Sequence, residues 1–238
     1  MKKYSIRLVV AGVLLAMFIV IAVLTLTGVL SGLENLAFRA ADSIRSEPLT
    51  NVAVFFAQLG WWWMIFITLL LLVVLPWTRR NLAVPMGLSF GIGAVVTAAL
   101  KAAVNRPRPS GHGSVFGSSF PSGHTMNMTT FFIAGVILLF MLLREHKWVI
   151  PFIVIGILLP VGISLSRIYT NAHFLGDVLG GWTLGTAIAL LTTVLWQVLA
   201  VYTSKFKKIE WLHRFVFPKE YWRTQNQTPP DDAKDDNV

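Results

Sequence analysis

Long apolar runs alternate with short polar segments along most of this chain. The runs lie at 8–30, 52–75, 82–104, 126–143, 149–165 and 178–201. Each is close to the roughly 17–25 residues that a helix needs to cross a bilayer, so the pattern predicts an all-α bundle of six transmembrane helices. The first run is too long for the apolar core of a signal peptide, and no clean cleavage site follows it, so we expect it to remain as a span.

The composition agrees with a membrane protein. Of the 238 residues, 55% are hydrophobic and only 13% are charged. In soluble domains, roughly a quarter of the residues are charged. The chain has no cysteine, which excludes disulfides and thiolate chemistry. The net charge of +9 does not indicate a nucleic-acid partner, because no basic stripe interleaved with aromatic residues is long enough to follow a polynucleotide.

The basic residues between the runs predict the orientation. Lysine and arginine occur in the segments 1–7, 76–81, 144–148 and 202–238. All four segments fall on one side of a six-span bundle, and the positive-inside rule makes that side, with both termini, cytoplasmic. The remaining polar segments, above all 105–125 and 166–177, then lie on the outer side of the cell membrane.

Other polar segments complete the predicted organisation. We expect residues 1–204 to form one six-span membrane domain. The segment 205–223 alternates basic and aromatic residues, which suits a cytoplasmic interfacial helix or, equally well, a simple flank of the last span. The tail 224–238 contains two prolines and four aspartates and is predicted to be disordered. The segment 31–51 reads as a polar outer loop of mixed charge, which an amphipathic surface helix would also fit.

The first of three chemically distinctive patches follows the third run. Lys101 stands near the end of that run, and Asn105-Arg106-Pro107-Arg108-Pro109 comes next. Two X-Pro steps keep the backbone extended, which can hold Arg108 beside Lys101. A planar guanidinium and an ammonium together suit phosphate oxygens. An ordinary basic flank is the alternative, but cations on the outer side oppose the positive-inside trend.

The second patch, Pro121-Ser122-Gly123-His124, leads into the fourth run. Ser122 is a plausible helix N-cap, and Gly123 would let the backbone approach a ligand. Because a helix N-terminus favours anions, His124 would stand beside a bound anion. Taken alone, this turn is better explained by helix capping.

The third patch contains Arg167, His173 and Asp177. His173 and Asp177 are four residues apart, so on a helix they share one face. A carboxylate bonded to one ring nitrogen leaves the other nitrogen free as a nucleophile. An isolated pair of this kind is usually structural. It gains significance because all three patches face one side, where they offer cations for a multiply charged anion and histidines for attack and proton transfer.

Read together, the three patches resemble a known signature. They are Lys101-x6-Arg108-Pro109, Pro121-Ser122-Gly123-His124 and Ser166-Arg167-x5-His173-x3-Asp177. This pattern is similar to the complete three-part signature of the type 2 phosphatidic acid phosphatase superfamily, and three ordered motifs match by chance far less often than one. The resemblance runs from about the second span to the sixth and is closest to bacterial six-helix lipid phosphatases.

The resemblance implies a role for each residue. His173 would attack phosphorus and form a phosphohistidine, Asp177 would orient it, and His124 would protonate the leaving oxygen. The residues expected to bind the phosphoryl oxygens are Lys101, Arg108, Ser122, Gly123 and Arg167. We expect no cofactor and no metal, because Asp177 is the only acid expected in the site. Arg106 borders the site but the spacing favours Arg108, and His112 is expected to be a solvated loop residue.

The expected substrate is a lipid phosphate or diphosphate within the bilayer, with undecaprenyl diphosphate and phosphatidylglycerol phosphate favoured and the active site at the outer membrane edge. No obligatory protein partner is evident. A lipid phosphotransferase would use the same residues and stays open as an alternative. A transporter is less well supported, because transport needs ionisable groups near the bilayer midplane and the interiors of the apolar runs are nearly uncharged.

Overall fold

The computed structural model describes residues 2–60, 64–109, 117–142 and 149–203, with the backbone alone at 2, 3, 64, 65, 67–83, 142, 149, 152 and 203. These residues form seven helices and no strand, which confirms the predicted all-α class. The helices are α1 (Lys2–Leu26), α2 (Ser31–Ser43), α3 (Glu47–Gln58), α4 (Met64–Val104), α5 (Gly123–Leu142), α6 (Val149–Tyr169) and α7 (Leu175–Thr203). The predictions for His112, 144–148, 205–223 and 224–238 lie outside the described residues.

Four segments of the described helices are long and apolar enough to cross a membrane. They are Tyr4–Leu26, Val84–Val104, Gly123–Met141 and Leu175–Tyr202. A shorter apolar stretch, Ile153–Tyr169, belongs to α6. On α1, large apolar side chains such as Val9 and Ile19 remain exposed. An exposed surface of this kind suits contact with lipid hydrocarbon rather than with water.

The second and third predicted spans differ from the structure. The sequence predicted helices at 52–75 and 82–104 with a loop at 76–81. Instead, the backbone of α4 is helical from Met64 to Val104, so the predicted loop at 76–81 is wrong. Arginine is a good helix former, and asparagine is only moderately unfavourable. The basic residues at 79 and 80 therefore mark a change of polarity without ending the helix.

α4 is bent rather than a straight rod. A Cβ atom at Gly60 would lie 3.0 Å from Cδ2 of His124, and one at Gly123 would lie 3.7 Å from Cε of Lys101. Gly60 and Lys101 are therefore both close to the segment Gly123–His124, and Met64 comes only four residues after Gly60. Even a fully extended chain between 60 and 64 keeps the Cα atoms of Met64 and Lys101 within about 40 Å of each other. A straight helix would separate the two atoms by about 55 Å.

Close contact between α5 and α7 organises the rest of the bundle. A Cβ atom at Gly185 would lie only 2.7 Å from the backbone oxygen of Met126, and one at Gly181 would lie 3.0 Å from the backbone oxygen of Ser122. Only glycine allows the two backbones to approach this closely. The start of α5 is therefore held firmly against the first turns of α7.

Helix ends from four elements meet at one end of the bundle. Residues near the carboxyl ends of α4 and α6 line the same cavity as residues at or just before the amino ends of α5 and α7. Asn105 follows α4 with φ 47°, and Asn171 follows α6 with φ 52°. Asparagine tolerates this left-handed conformation better than most residues. Both helices therefore stop abruptly, and the chain turns across this end of the bundle.

α2 lies across the same end. The segment 31–51 was predicted as a polar outer loop, with an amphipathic surface helix as the alternative. In the structure it is largely helical, which agrees with the alternative. Ala41 packs with Ala53 and Tyr169 in a small buried cluster. The carboxylate of Glu34 is buried and accepts the backbone N–H of Gly176 at 3.2 Å. α2 is thus attached to the beginning of α7.

Candidate active site

A cavity of about 990 Å³ lies where the four helix ends meet. One part of its wall carries predicted site residues: Lys101, Arg108, Gly123, His124, Arg167 and His173. Another part comes from α3 and α4 and is apolar, with Val54, Ala57, Ala94, Ala98 and Ala102. Six of the eight predicted residues therefore line one cavity, while Ser122 and Asp177 lie behind its wall.

His173 and Asp177 form a buried pair at the entry to α7. Nδ1 of His173 lies 3.4 Å from Oδ2 of Asp177, and the two side chains are 1% and 0% exposed. The prediction that they share a helical face is wrong, because α7 begins at Leu175, between them. Oδ2 of Asp177 also accepts the backbone N–H of Phe174 at 2.9 Å. Asp177 thus meets His173 while capping the helix start.

The environment of His173 suits a nitrogen nucleophile. Burial lowers the pKa of His173 from 6.5 to about 4, Asp177 opposes the shift through its hydrogen bond and its charge, and Lys101 and Arg167 add to it. The imidazole is therefore neutral near pH 7. With Nδ1 paired to the carboxylate, Nε2 is the nitrogen that remains for chemistry.

His124 is placed by the start of α5. Its neighbour Gly123 is the first helical residue. The backbone N–H of Ser122 donates to the backbone oxygen of Asp177 at 3.0 Å. The hydroxyl of Ser122 is fully buried and accepts a hydrogen bond from Thr125 Oγ1 at 3.1 Å. Gly123 and His124 therefore line the cavity, whereas the Ser122 hydroxyl, predicted to bind phosphate, lies outside the cavity lining.

Three cations surround the histidines. Nζ of Lys101 donates to the backbone oxygen of Ser118 at 2.5 Å, and Nη1 of Arg108 donates to the backbone oxygen of Ala172 at 3.3 Å. Nε of Arg167 is buried and has no hydrogen-bond partner in the described part of the chain. Leaving a buried donor unpaired costs about 1–3 kcal/mol, so an oxyanion in the cavity would relieve that cost.

Two charged residues, Arg106 and Glu34, lie directly behind the site. Nη1 of Arg106 lies 2.6 Å from Oδ1 of Asp177, and its Nη2 lies 2.8 Å from Oε2 of Glu34. The side chains of Arg106 and Glu34 are 12% and 4% exposed. The expectation that Asp177 is the only acid of the site is therefore wrong. No local pattern marks Glu34, because its partner is 72 residues away.

The positive charge at the cavity comes from side chains. Across the ranges that the structure describes, no three His, Asp or Glu residues are grouped so that they could hold a metal ion. Glu34 and Asp177 are separated by the guanidinium of Arg106, which occupies one oxygen of each. The groups that face the cavity are therefore suited to an anion.

Comparison with known families decides the relationship. Residues 82–200 match the PAP2 superfamily, a range that is half of the chain and contains all eight predicted site residues. The chain belongs to the PAP2 superfamily. This confirms the resemblance inferred from the three motifs. Glu34 lies outside the matched range.

Two curated PAP2 relatives share part of the sequence. The chain is 36% identical over 115 residues to phosphatidylglycerophosphatase B of Bacillus subtilis (strain 168), a match covering 44% of this chain and 54% of that protein. It is 36% identical over 92 residues to undecaprenyl-diphosphatase of Sulfolobus acidocaldarius, covering 39% of this chain and 38% of that protein. The matches thus span about half or less of each relative.

The PAP2 fold is also seen in two solved structures that resemble this one. The crystal structure of a transmembrane PAP2-type phosphatidylglycerolphosphate phosphatase from Bacillus subtilis aligns with a TM-score of 0.71 and 25% identity, covering 79% of this chain and 96% of that chain. Aquifex aeolicus LpxE aligns with a TM-score of 0.54 and 26% identity, covering 66% and 92%. The first alignment extends well beyond 82–200, so helices outside the family match share the fold.

Proposed function

We propose that the protein is an integral membrane phosphatase that removes the terminal phosphate from a lipid phosphate or diphosphate through a phosphohistidine intermediate. The observation that carries this proposal is a single cavity with two kinds of wall. Cations and two histidines line one part, and small apolar side chains of α3 and α4 line another. The first part suits a phosphoryl group, and the second suits a hydrocarbon chain. Membership of the PAP2 superfamily supports the phosphatase chemistry.

In the first half of the reaction, Nε2 of His173 attacks phosphorus. The N–P bond forms as the P–O bond to the leaving group breaks, and the leaving oxygen keeps the electron pair and takes a proton from His124. The ring of His173 gains positive charge, which Asp177 stabilises from Nδ1. The pair distance of 3.4 Å and its complete burial support this division of roles.

In the second half, water attacks the phosphohistidine. The new O–P bond forms as the N–P bond breaks, the electron pair returns to Nε2 of His173, and a proton of the water passes to His124. Throughout, Lys101, Arg108 and Arg167 balance the charge on the phosphoryl oxygens, which is the main requirement of phosphoryl transfer. In this proposal the side chains supply the electrostatic stabilisation without a metal ion.

For the lipid, we propose phosphatidylglycerol phosphate or undecaprenyl diphosphate. The names of the two curated relatives refer to these lipids, and the likeness to a phosphatidylglycerolphosphate phosphatase structure supports the first. In either lipid a terminal phosphoryl group is joined to long hydrocarbon chains. The apolar wall contributed by Val54, Ala57 and Ala98 would receive the part of the chain nearest the phosphate.

We further propose a six-pass topology with the site on the extracytoplasmic face. Gly60 lies against His124 and Lys101 lines the cavity, whereas Met86 packs with Trp196 and Ala200 far along α7. The chain between 60 and 101 thus leaves the site end and returns to it, which supports two passes in addition to those of α1, α5, α6 and α7. Arg7, at the start of α1, donates to Oγ1 of Thr193 at 3.4 Å, far along α7 from Asp177. The basic amino-terminal segment is thus at the opposite end from the site, and the positive-inside rule assigns that end to the cytoplasm.

The test is release of free phosphate by the purified protein in detergent. Phosphatidylglycerol phosphate, undecaprenyl diphosphate and phosphatidic acid would each be supplied alone, with glycerol phosphate as a matched substrate without a hydrocarbon chain. We expect the first or second lipid to be hydrolysed with a kcat/KM at least about tenfold above that of glycerol phosphate. No release from any lipid would contradict the proposal. Transfer of the phosphoryl group to a second lipid, without free phosphate, would show a phosphotransferase instead.

A further inference from the structure

A continuous series of charged contacts connects α2 with His173. Nη2 of Arg106 lies 2.8 Å from Oε2 of Glu34, and its Nη1 lies 2.6 Å from Oδ1 of Asp177. The other oxygen of Asp177, Oδ2, lies 3.4 Å from Nδ1 of His173. Each oxygen of Asp177 therefore has a different ionisable partner. Neither Glu34 nor Arg106 lines the cavity.

Arg106 is held in this position from several sides. Its guanidinium carbon lies 4.0 Å from the ring centroid of Phe174, within the range of a cation–π contact. Its backbone N–H donates to Oγ of Ser118 at 2.9 Å, and its backbone oxygen accepts the N–H of Ser119 at 2.8 Å. The Arg106 side chain is thus directed behind the cavity, while Arg108, two residues later, lines it.

Glu34 completes the arrangement. Oε1 of Glu34 accepts the backbone N–H of Gly176, one of the first-turn N–H groups that have no partner within a helix. A Cβ atom at Gly176 would lie 2.9 Å from this Oε1 and would also collide with Oγ1 of Thr25. Glycine at 176 thus lets the carboxylate reach the start of α7. Glu34 is bound both to the helix that carries Asp177 and to Arg106.

We propose that Glu34 and Arg106 are positioning residues of the phosphatase reaction, which hold Asp177 so that Oδ2 faces Nδ1 of His173. This inference rests on the proposed role of His173 as the nucleophile. Because Arg106 occupies Oδ1, only Oδ2 remains for the imidazole, and rotation of the carboxylate would break a short charged hydrogen bond. The ring is thereby kept in the orientation that presents Nε2 to phosphorus.

The charges explain why both residues are needed. Arg106 alone would neutralise Asp177 and compete with the imidazolium that forms when His173 attacks. With Glu34 as a second carboxylate, the three side chains carry one net negative charge, which matches one imidazolium. A charged hydrogen bond in a buried network is stronger than one in water. The arrangement therefore leaves Asp177 anionic toward His173 while fixing its orientation.

The experiment measures kcat and KM for phosphate release by Glu34→Gln, Arg106→Met and the double variant. Glu34→Gln should lower kcat roughly tenfold, because it removes one charged hydrogen bond, with KM within about twofold. Arg106→Met should lower kcat roughly 100-fold, because it leaves two buried carboxylates without their shared cation. In the double variant one of those carboxylates is gone, so kcat should recover to above that of Arg106→Met alone.

The matched control is Asp42→Asn, which also removes a carboxylate from α2. Asp42 binds Arg45 at 2.6 Å, and the pair is 57% and 39% exposed, so its loss should leave kcat unchanged. All rates are normalised to the folded fraction from size-exclusion chromatography and thermal unfolding. A purely structural role would lower only the folded fraction.

Several results would overturn the inference. They are an unchanged normalised kcat in Glu34→Gln, a rise in KM alone, or losses that multiply in the double variant without recovery. Failure of the proposed function looks different, since the unmodified protein would then release no phosphate or His173→Ala would keep its activity. An active protein that His173→Ala inactivates, but that Glu34→Gln and Arg106→Met leave unaffected, would contradict only the positioning role.

Discussion

His173 and Asp177 pair across the boundary of a helix rather than along one. Nδ1 of His173 lies 3.4 Å from Oδ2 of Asp177, although His173 precedes α7 and Asp177 belongs to its first turn. The same Oδ2 accepts the backbone N–H of Phe174. The backbone bond anchors Oδ2 at the start of the helix, while Arg106 holds Oδ1.

Replacing Asp177 tests this relationship. Asp177→Asn keeps the shape of the side chain but removes the charge that would stabilise the imidazolium of His173. We expect kcat to fall roughly 100- to 10,000-fold while a residual rate remains. The measurement is release of phosphate from the preferred lipid. A kcat within a few-fold of the unmodified protein would show that the carboxylate has no part in the chemistry.

The low pKa of His173 predicts its protonation state. Because burial lowers the pKa to about 4, the ring should stay neutral from about pH 8 to about pH 5.5. The ¹⁵N NMR signals of labelled histidine, with His173→Gln used for assignment, report this directly. A protonation midpoint near 6.5 would contradict it. Below about pH 6.5, His173 of the unfolded chain binds a proton that His173 of the native state does not bind. Protonation therefore favours the unfolded state, and the free energy of unfolding decreases as the pH falls from about 6.5 toward 4.

The placement of the cavity residues could be predicted because it follows from the order of the motifs. Lys101 and Arg167 stand near the carboxyl ends of apolar runs, and His124 stands at the beginning of one. When successive helices of a bundle run in opposite directions, such positions lie at the same end. In the structure these three residues line one cavity at that end. Serine is a preferred N-cap residue, so Ser122 also indicates the helix start at Gly123, although its hydroxyl bonds Thr125 Oγ1 rather than a backbone N–H.

Other features could not be read from the sequence. Glu34 binds Arg106 across 72 residues, and no periodic pattern connects an acid on α2 with an X-Pro segment. The spacing of His173 and Asp177 indicated contact but not the helix boundary between them. The basic residues at 79 and 80 predict a loop, but charge alone does not end a helix, and the helical backbone continues through them.

Removal of metals tests the assignment of charge to the protein. Lys101, Arg108 and Arg167 surround the cavity, and their charges are expected to balance those of the phosphoryl oxygens. Phosphate release should therefore be unchanged in an excess of EDTA. Complete loss of activity, restored by added Mg²⁺, would show that a metal ion supplies that charge instead.

The proposed orientation can be tested with single cysteines, because the chain has none. Gly113→Cys places a thiol in the segment proposed to be extracytoplasmic, and Ser204→Cys places one in the segment proposed to be cytoplasmic. An impermeant maleimide should label Gly113→Cys in intact cells and Ser204→Cys only after lysis. The reverse pattern would place the site on the cytoplasmic face and leave the phosphatase chemistry unaffected.

Trapping the phosphoenzyme tests most directly whether His173 is the nucleophile. The protein is mixed with a preferred lipid carrying ³²P in its terminal phosphate and quenched within milliseconds in alkali, in which phosphohistidine survives. We expect ³²P bound to His173, located by mass spectrometry, and neither bound ³²P nor phosphate release in His173→Ala. Label that persists in His173→Ala, or phosphate release by that variant near the normal rate, would contradict a nucleophilic role for His173.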